Sequence, residues 1–239
     1  MTLALFSMMV PGLVYLIINN YIPMAGLVIA FKRFNYGKGI WASDWAGLSN
    51  FTYLFKTQDA KNIIRNTIGY NLTFILLGNV LAVAVAVMLN FMKGTLNKKV
   101  YQTVILVPYL ISMVVVSYIV FGFLSQENGF LNKILVAMGK DPVSWYTTSK
   151  YWPFILVFVN LWKGFGYSSI LYYATVIGID SSLYEAATVD GANRWKQVWH
   201  VTLPGLRGTI ITMVLLSIGR MFYSDFGLFY QVPMNQGAL

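Results

Sequence analysis

The fold is decided by stretches that carry no charge, the first of which is NTIGYNLTFILLGNVLAVAVAVMLNFM, residues 66–92. It lies between Arg65 and Lys93 and contains no Asp, Glu, Lys or Arg. A second such stretch runs from Val100 to Gln126. Each exceeds the about 20 residues that cross a bilayer as a helix. Because only 10% of the chain is charged and 57% is hydrophobic, the sequence predicts a polytopic membrane protein.

Five membrane spans are predicted by working outward from these stretches. They are expected over Leu3–Phe31, Thr67–Phe91, Val100–Leu124, Trp152–Ile179 and Leu206 to about Tyr230. Prolines inside such spans kink them rather than end them. The predicted fold class is therefore all-α integral membrane, a polytopic helical bundle with five visible transmembrane helices.

Composition also excludes several functions. The formal net charge is +9, but the basic residues are scattered through loops with no dense tract, so no nucleic-acid partner is expected. The chain has no cysteine and a single histidine, His200, which argues against a disulfide framework and a histidine-based metal centre. No Gly-x-x-x-x-Gly-Lys-Ser/Thr phosphate loop is present, so ATP hydrolysis by this chain is not expected.

A polar segment, Asp180 to Leu206, separates the fourth and fifth predicted spans. Ser182 and Glu185 have the spacing of a capping box, which predicts a helix start. Gly191 can adopt positive φ and suits the end of that helix. A second helix is expected to end just before Pro204, which lacks a backbone donor. The segment is thus predicted to be a helix–turn–helix with one apolar side.

From the residues alone, this segment could equally be an ordinary amphipathic connection at the membrane surface. Amphipathic connections with tryptophans commonly lie in the headgroup region, and a capping box can start any helix. For Leu183, Trp195 and Trp199, packing against the chain's own membrane domain is the favoured interpretation.

The spacing within the segment is more specific. Glu185-Ala186-Ala187 is followed by three residues, Gly191, nine residues and then Val201-x-Leu203-Pro204. This resembles the EAA signature of permease subunits from binding-protein-dependent ABC importers, with Val201 where that pattern has isoleucine. Further matches resemble the sugar-permease branch that handles oligosaccharides and polysaccharide fragments. These are Tyr21–Met24, Ile29–Lys32, Gly39–Trp41, Asn193–Trp195 and His200–Pro204.

The resemblance implies a subunit of an ATP-driven importer that works by alternating access. Its partners would be a second homologous permease, two ATPase subunits, an extracellular solute-binding protein, a carbohydrate substrate and the lipid bilayer. No cofactor is implied in this chain, and ATP and Mg would bind the partner subunits. The residues implied in ATPase coupling are Glu185, Ala186, Ala187, Asp190, Gly191, Leu203 and Pro204.

The resemblance also sets the expected domains and orientation. Residues 1–66 would form an N-terminal transmembrane helix and an extracytoplasmic linker, and residues 67–239 the permease core with its EAA coupling segment at 180–206. The charge count alone does not decide the orientation. The family places the coupling segment and the N-terminus in the cytoplasm of a cell-membrane protein, and a sixth span is expected beyond Leu239.

Polar residues inside the predicted spans are candidates for the translocation path, because ionisable groups at that depth are costly unless they face water or a partner. Asn160, Lys163 and Tyr167 share one helical face, and Ser217, Arg220 and Ser224 share another. Asn71 and Asn79 are weaker candidates, because intramembrane asparagines often only link helices. The alternative is that Lys163 or Arg220 pairs with Asp225 or caps a partner helix.

Two other functions fit the sequence less well. One is an importer of the same kind for another anionic small solute, suggested by Lys163 and Arg220. The other is a secondary transporter or channel that needs no ATPase, for which the Glu185–Gly191 stretch would be dispensable.

Overall fold

The computed structural model describes residues 2–234, with side chains described from residue 6 onward except at residues 53 and 54. By their internal contacts the residues form two units, Met1–Arg65 and Asn66–Leu239. Helix dominates both units, and the predicted all-α fold class is confirmed.

The first unit begins with a long apolar helical segment and ends in a small compact turn region. Its elements are α1 (Thr2–Leu16), a π-helical turn (Ile17–Tyr21), α2 (Ile22–Met24), a 3₁₀ segment (Ala25–Phe31), β1 (Lys32–Arg33), α3 (Gly39–Ala42), β2 (Asp44–Trp45), a 3₁₀ turn (Ser49–Phe51) and α4 (Thr52–Lys56). The two strands pair antiparallel, with Lys32 opposite Trp45. The Asn50 amide donates to the carbonyls of Ala30 (3.0 Å) and Lys32 (2.9 Å) and so ties the following turn to the hairpin.

The second unit is a helical bundle. The boundary between the units falls within α5 (Gln58–Phe91), which is followed by α6 (Thr95–Leu110), α7 (Met113–Leu124), α8 (Phe130–Ala137), α9 (Trp152–Ile177), α10 (Ser181–Val189), α11 (Arg194–Gln197) and α12 (Leu203–Ile218). Within residues 2–234, four helical segments are long and apolar enough to cross a membrane: Phe6–Phe31, Gln58–Phe91, Ser149–Ile177 and Arg194–Ile218. Counting the bent pair α6–α7 as one span gives up to five.

The third predicted span, Val100–Leu124, is two helices rather than one. α6 and α7 meet at 95°. Ile111 is extended, and the Ser112 hydroxyl caps α7 by accepting a hydrogen bond from the Val115 N–H (3.4 Å). Because α6 contains Pro108 and α7 has its own cap, the chain can change direction here without leaving the start of α7 uncapped.

The fifth predicted span is shorter than expected, and its boundary at Tyr230 is wrong. α12 ends at Ile218, with Gly219 at its C-cap, and a turn follows. The Asp225 carboxylate then accepts a hydrogen bond from the Leu228 N–H (3.2 Å) at the start of a π-helical turn, Gly227–Gln231. The stretch predicted as one span therefore contains two helical pieces.

Two buried apolar clusters hold the second unit together. The larger contains Val116, Leu124, Tyr146, Trp152, Leu156, Val159, Leu228 and Val232. The smaller contains Ala82, Ala86, Tyr172, Val176 and Leu206, and so joins α5, α9 and α12 next to the segment that follows α9. Burial of these side chains fixes the ends of the spans from which the polar segment extends.

Candidate coupling segment and polar cavity

The polar segment 180–206 begins with a helix capped by Asp180 rather than by Ser182. The Asp180 carboxylate accepts a hydrogen bond from the Ser182 backbone N–H (2.9 Å), and hydrogen bonds from Ser182 lower the pKa of Asp180. The capping box predicted for Ser182 and Glu185 is therefore wrong, since α10 already starts at Ser181. A carboxylate at this position also interacts favourably with the helix dipole.

The turn after α10 matches the sequence prediction at its glycine. α10 ends at Val189, and Gly191 has φ +75°, a conformation that costs other residues more. The Ala192 N–H donates a hydrogen bond to the Ala187 carbonyl (2.8 Å). The Asn193 side chain caps α11 by accepting a hydrogen bond from the Lys196 N–H (2.9 Å). Both ends of the turn are thus satisfied by local hydrogen bonds.

The second helix of the segment does not stop before Pro204, contrary to the prediction. α11 continues through a π-helical turn, Val198–Thr202, into α12, and Pro204 lies in the first turn of α12. The Leu203 N–H bonds to the Val198 carbonyl, five residues back. The wider π turn accommodates the proline ring, so the helix passes from the polar segment into the membrane span without a break.

Side-chain contacts fasten α10 and α11 to the neighbouring helices. The Tyr184 hydroxyl lies 3.0 Å from the Thr202 hydroxyl, and the Gln197 amide donates to the Thr188 hydroxyl (3.0 Å). The Arg194 guanidinium lies 5.6 Å from the centre of the Phe91 ring at the end of α5. The segment is therefore connected to α5 and α12 as well as, through the chain, to α9.

Most of the residues predicted for ATPase coupling are open to a partner. Glu185, Ala186, Asp190, Gly191 and Pro204 are exposed, and Ala187 and Leu203 are half-buried. Leu183, Trp195 and Trp199 are also exposed, at 53%, 74% and 65%. The interpretation that these three pack against the chain's own membrane domain is therefore wrong, and they remain available for contact outside the chain.

A polar cavity of about 280 Å³ lies within the second unit, between α5, α9, α12 and the turn after α12. Its polar lining consists of Asn71, Asn79, Asn160, Ser168, Ser217, Arg220, Tyr223 and Asp225. The structure thus brings together five of the eight residues predicted for the path, namely Asn71, Asn79, Asn160, Ser217 and Arg220.

Three residues of this lining were missed. Ser168 lies two turns along α9 from Asn160, so helical periodicity could have found it. Tyr223 and Asp225 lie in the break after α12, and the sequence gives no sign that this break turns them towards the cavity.

The other three predicted residues, Lys163, Tyr167 and Ser224, are not part of the cavity lining. The Lys163 ammonium donates to the carbonyls of Pro108 (3.3 Å), Tyr109 (2.9 Å) and Ile111 (2.5 Å), where α6 ends. Tyr167 stacks on Tyr109, with ring centres 4.7 Å apart. Lys163 therefore caps a neighbouring helix, which is the alternative considered for it from the sequence.

Asn71 and Asn79 use their amides to link helices. The Asn79 side chain accepts a hydrogen bond from the Tyr172 hydroxyl and donates to the Ile75 carbonyl (2.6 Å). The Asn71 amide donates to the carbonyls of Thr67 (2.9 Å) and Tyr223 (3.4 Å). Much of their hydrogen-bonding capacity is used within the bundle.

Arg220 and Asp225 differ from these amides because they line one cavity without pairing. Among the side chains described, the only ion pair is Lys38–Asp44, in the first unit. The Arg220 guanidinium lies 5.2 Å from the centre of the Tyr223 ring, and Asp225 accepts from the Leu228 N–H. The cavity thus offers a cation and an anion that are both available to a ligand.

No group of three or more His, Cys, Asp and Glu side chains that could hold a metal ion occurs in the described part of the chain. That the chain itself needs no cofactor remains a prediction.

A helical membrane bundle with a polar cavity, and with an exposed polar segment anchored between two spans, has the architecture of a membrane transport protein. A model of the binding-protein-dependent transport system inner membrane component matches residues 78–224. Protein LplB of Bacillus subtilis (strain 168) is 33% identical over 226 residues, which are 95% of this chain and 71% of that protein. The chain belongs to this family of transport permeases.

Further relatives are named for polysaccharides. The polygalacturonan/rhamnogalacturonan transport system permease protein YteP of Bacillus subtilis (strain 168) is 32% identical over 215 residues, 90% of this chain and 67% of that protein. A solved bacterial alginate ABC transporter, in complex with an alginate pentasaccharide-bound periplasmic protein, superposes with a TM-score of 0.86 at 31% identity, over 98% of this chain and 79% of that chain. The resemblance to the sugar branch of ABC importer permeases is thereby confirmed.

Proposed function

We propose that this chain forms, with a second permease, the translocation path of an ATP-driven importer for oligosaccharides or polysaccharide fragments. The family match and the relatives named for polysaccharide transport support the class of solute. The polar cavity supports a path through the second unit, because amides, hydroxyls and a guanidinium can bind the hydroxyls of a sugar.

Coupling to ATP hydrolysis is proposed to run through segment 180–206. The observation that carries this is the exposed face of α10, which is anchored at both ends to helices that can span the membrane. Movement of a partner bound to Glu185, Ala186 and Ala187 would be transmitted to α12 through the Tyr184–Thr202 contact and the unbroken α11–α12 helix. The ATPase, with its ATP and Mg, is assigned to separate subunits.

The proposed orientation, which the resemblance implies, is supported by the charges at the two ends of the second unit. The end that carries segment 180–206 is rich in basic residues: Lys93, Lys98, Lys99, Arg194, Lys196 and Arg207. The Arg194–Phe91 contact brings the two basic stretches together. At the other end of α9, the loop 125–151 mixes Glu127 and Asp141 with its lysines. The positive-inside rule therefore supports a cytoplasmic location for segment 180–206.

The outer end has a defined shape on which a solute-binding protein can dock. Asn132 is buried, and its amide donates to the carbonyls of Gln126 (3.0 Å) and Val143 (2.9 Å) while accepting from the Trp145 indole (2.9 Å). These bonds tie the residues before and after α8 to that helix.

The half-open polar cavity in turn requires a second permease to close it, because exposed polar groups at membrane depth are costly in lipid.

The proposal is tested with the importer reconstituted in liposomes together with its second permease, ATPases and binding protein. Glu185→Lys should lower ATP-driven uptake at least about tenfold, a loss of about 1.4 kcal/mol of coupling. Asp59→Lys, the same charge reversal at an exposed residue in the first turn of α5, should leave ATP hydrolysis and its coupling to uptake intact. Full uptake by the Glu185 variant, or uptake without any ATPase, would refute the proposed coupling.

A further inference from the structure

We propose that the polar cavity recognises an acidic sugar, with Arg220 binding the carboxylate of a uronate unit and Asp225 accepting hydrogen bonds from its hydroxyls. This inference rests on the proposed function and specifies the solute class that the same path selects.

The first argument is that Arg220 and Asp225 do not form an ion pair with each other. Both line one cavity, yet among the described side chains they form no ion pair within 4.0 Å. The Arg220 guanidinium instead lies against the Tyr223 ring, and the Asp225 carboxylate accepts a hydrogen bond from the Leu228 N–H. Arg220 and Asp225 are both exposed to this open cavity, so opposite charges that do not touch each other are available to a ligand that bridges them.

The second argument is the chemistry of the free groups. A guanidinium presents a planar fork of donors that matches a carboxylate. The Asn160 amide and the Ser168 hydroxyl also line the cavity, and neither makes a hydrogen bond within the described part of the chain. An unpaired amide and an unpaired hydroxyl are suited to sugar hydroxyls, and Phe74 adds an apolar surface for the face of a sugar ring.

The third argument separates a uronate from a simple anion. Arg220 and Asp225 are the only charged residues in the cavity lining among residues 2–234, and their charges cancel. The Lys163 ammonium lies outside the lining and is bound to backbone carbonyls, although its charge still attracts that of Asp225. A compact anion such as phosphate would meet the Asp225 carboxylate, whereas a uronate presents its carboxylate on one side and hydroxyls on the other.

The size of the cavity sets how much of the solute is recognised. Its volume of about 280 Å³ lies just below the roughly 300–1,000 Å³ of typical small-ligand sites. The side of the path that this chain forms therefore has room for about one sugar unit.

The test measures binding to the assembled importer and compares trigalacturonate, its methyl ester and inorganic phosphate. The wild-type importer should bind the acid more tightly than the ester. Arg220→Gln should weaken binding of the acid about tenfold, or about 1.4 kcal/mol, and change binding of the ester less than twofold. Arg220→Lys should retain part of the preference. Asp225→Asn should weaken both saccharides, since both carry the hydroxyls.

Arg207→Gln, the same change at the start of α12 and far from the cavity, is the control and should change neither affinity. Unfolding temperatures of all variants show whether each is folded. If Arg220→Gln weakens acid and ester equally, or if phosphate competes as well as trigalacturonate, the inference fails while ATP-driven saccharide uptake can still stand. If neither saccharide is taken up in an ATP-dependent manner, the proposed function itself fails.

Discussion

Helix α9 presents two polar faces that differ in whether their groups are satisfied within the chain. On the face towards α6, Lys163 caps the end of that helix and Tyr167 stacks on Tyr109. On the face towards the cavity, Asn160 and Ser168 have no hydrogen-bond partner in the described part of the chain. The comparison teaches that a polar residue inside a span is not by itself a substrate site, because its function depends on whether the bundle already satisfies it.

The largest loss of stability is expected where α6 and α9 touch most closely. A Cβ added at Gly166 would lie 1.8 Å from the Ile105 carbonyl oxygen, a backbone atom that cannot move aside. Gly166→Ala should cost about 3 kcal/mol or more, at the top of the usual range for overpacking. Unfolding in detergent measures it, and Gly164→Ala, where nothing lies within 4 Å of the added Cβ, is the matched control. Equal stability of the two variants would show that α6 and α9 are not in close contact.

A smaller but clear loss is expected at Lys163. Lys163→Met removes the donor to three carbonyls and should cost about 2–3 kcal/mol, as for hydrogen bonds that involve a charge. Lys150→Met, at an exposed lysine just before α9, should change stability by less than about 0.5 kcal/mol. If Lys163→Met left stability unchanged but abolished saccharide binding, the assignment of Lys163 to the satisfied face would be overturned.

Replacing Tyr172 tests whether the Asn79 amide is satisfied within the bundle. Its ring is fully buried among Ala82, Ala86 and Val176, and its hydroxyl donates to Asn79. Tyr172→Phe should cost about 0.6 to 1 kcal/mol, the usual value for a hydrogen bond between membrane helices. Tyr101→Phe, at an exposed tyrosine of α6, serves as the control in the same unfolding measurement. A neutral Tyr172→Phe would mean that the Asn79 amide is free for the path.

The smallest change in stability is expected on the open face. Asn160→Ala removes a side chain with no partner in the described part of the chain and should change the free energy of unfolding by less than about 0.5 kcal/mol. Its binding of trigalacturonate should nevertheless weaken by about threefold to tenfold, the value of one hydrogen bond. A destabilised variant with unchanged binding would place Asn160 with Lys163 as a structural residue.

The sequence predicted the membrane class, the family and the positive φ of Gly191, because uncharged length and motif spacing are local properties. The prediction of the helix cap failed because several adjacent residues can fill the same position. Asp180, Ser181 and Ser182 are all good caps, and the spacing to Glu185 does not decide among them.

The breaks at Ser112 and Gly219 were also not predicted. Ser112 has apolar residues on both sides, and Gly219 and Arg220 were placed inside one continuous fifth span. Lys163 finds its partners, backbone carbonyls, only because α6 stops at one of these breaks. Pro204 is tolerated because a π turn precedes it, and the residue types in that turn do not predict it. The closed face of α9 thus depends on a tertiary feature. Helical periodicity wrongly placed Asn160, which lines the cavity, on one face with Lys163 and Tyr167, which contact α6.

The central claim, that the exposed face of α10 is where a cytoplasmic ATPase acts on this permease, can be tested by cross-linking. The chain has no cysteine, so Ala186→Cys gives a single thiol on that face. Val136→Cys on α8 gives a matched thiol at the opposite end. In the intact importer, Ala186→Cys should cross-link to the ATPase subunit and resist a membrane-impermeant thiol reagent added outside intact cells, and Val136→Cys should do neither. Labelling of Ala186→Cys from outside, with no cross-link to the ATPase, would contradict the account.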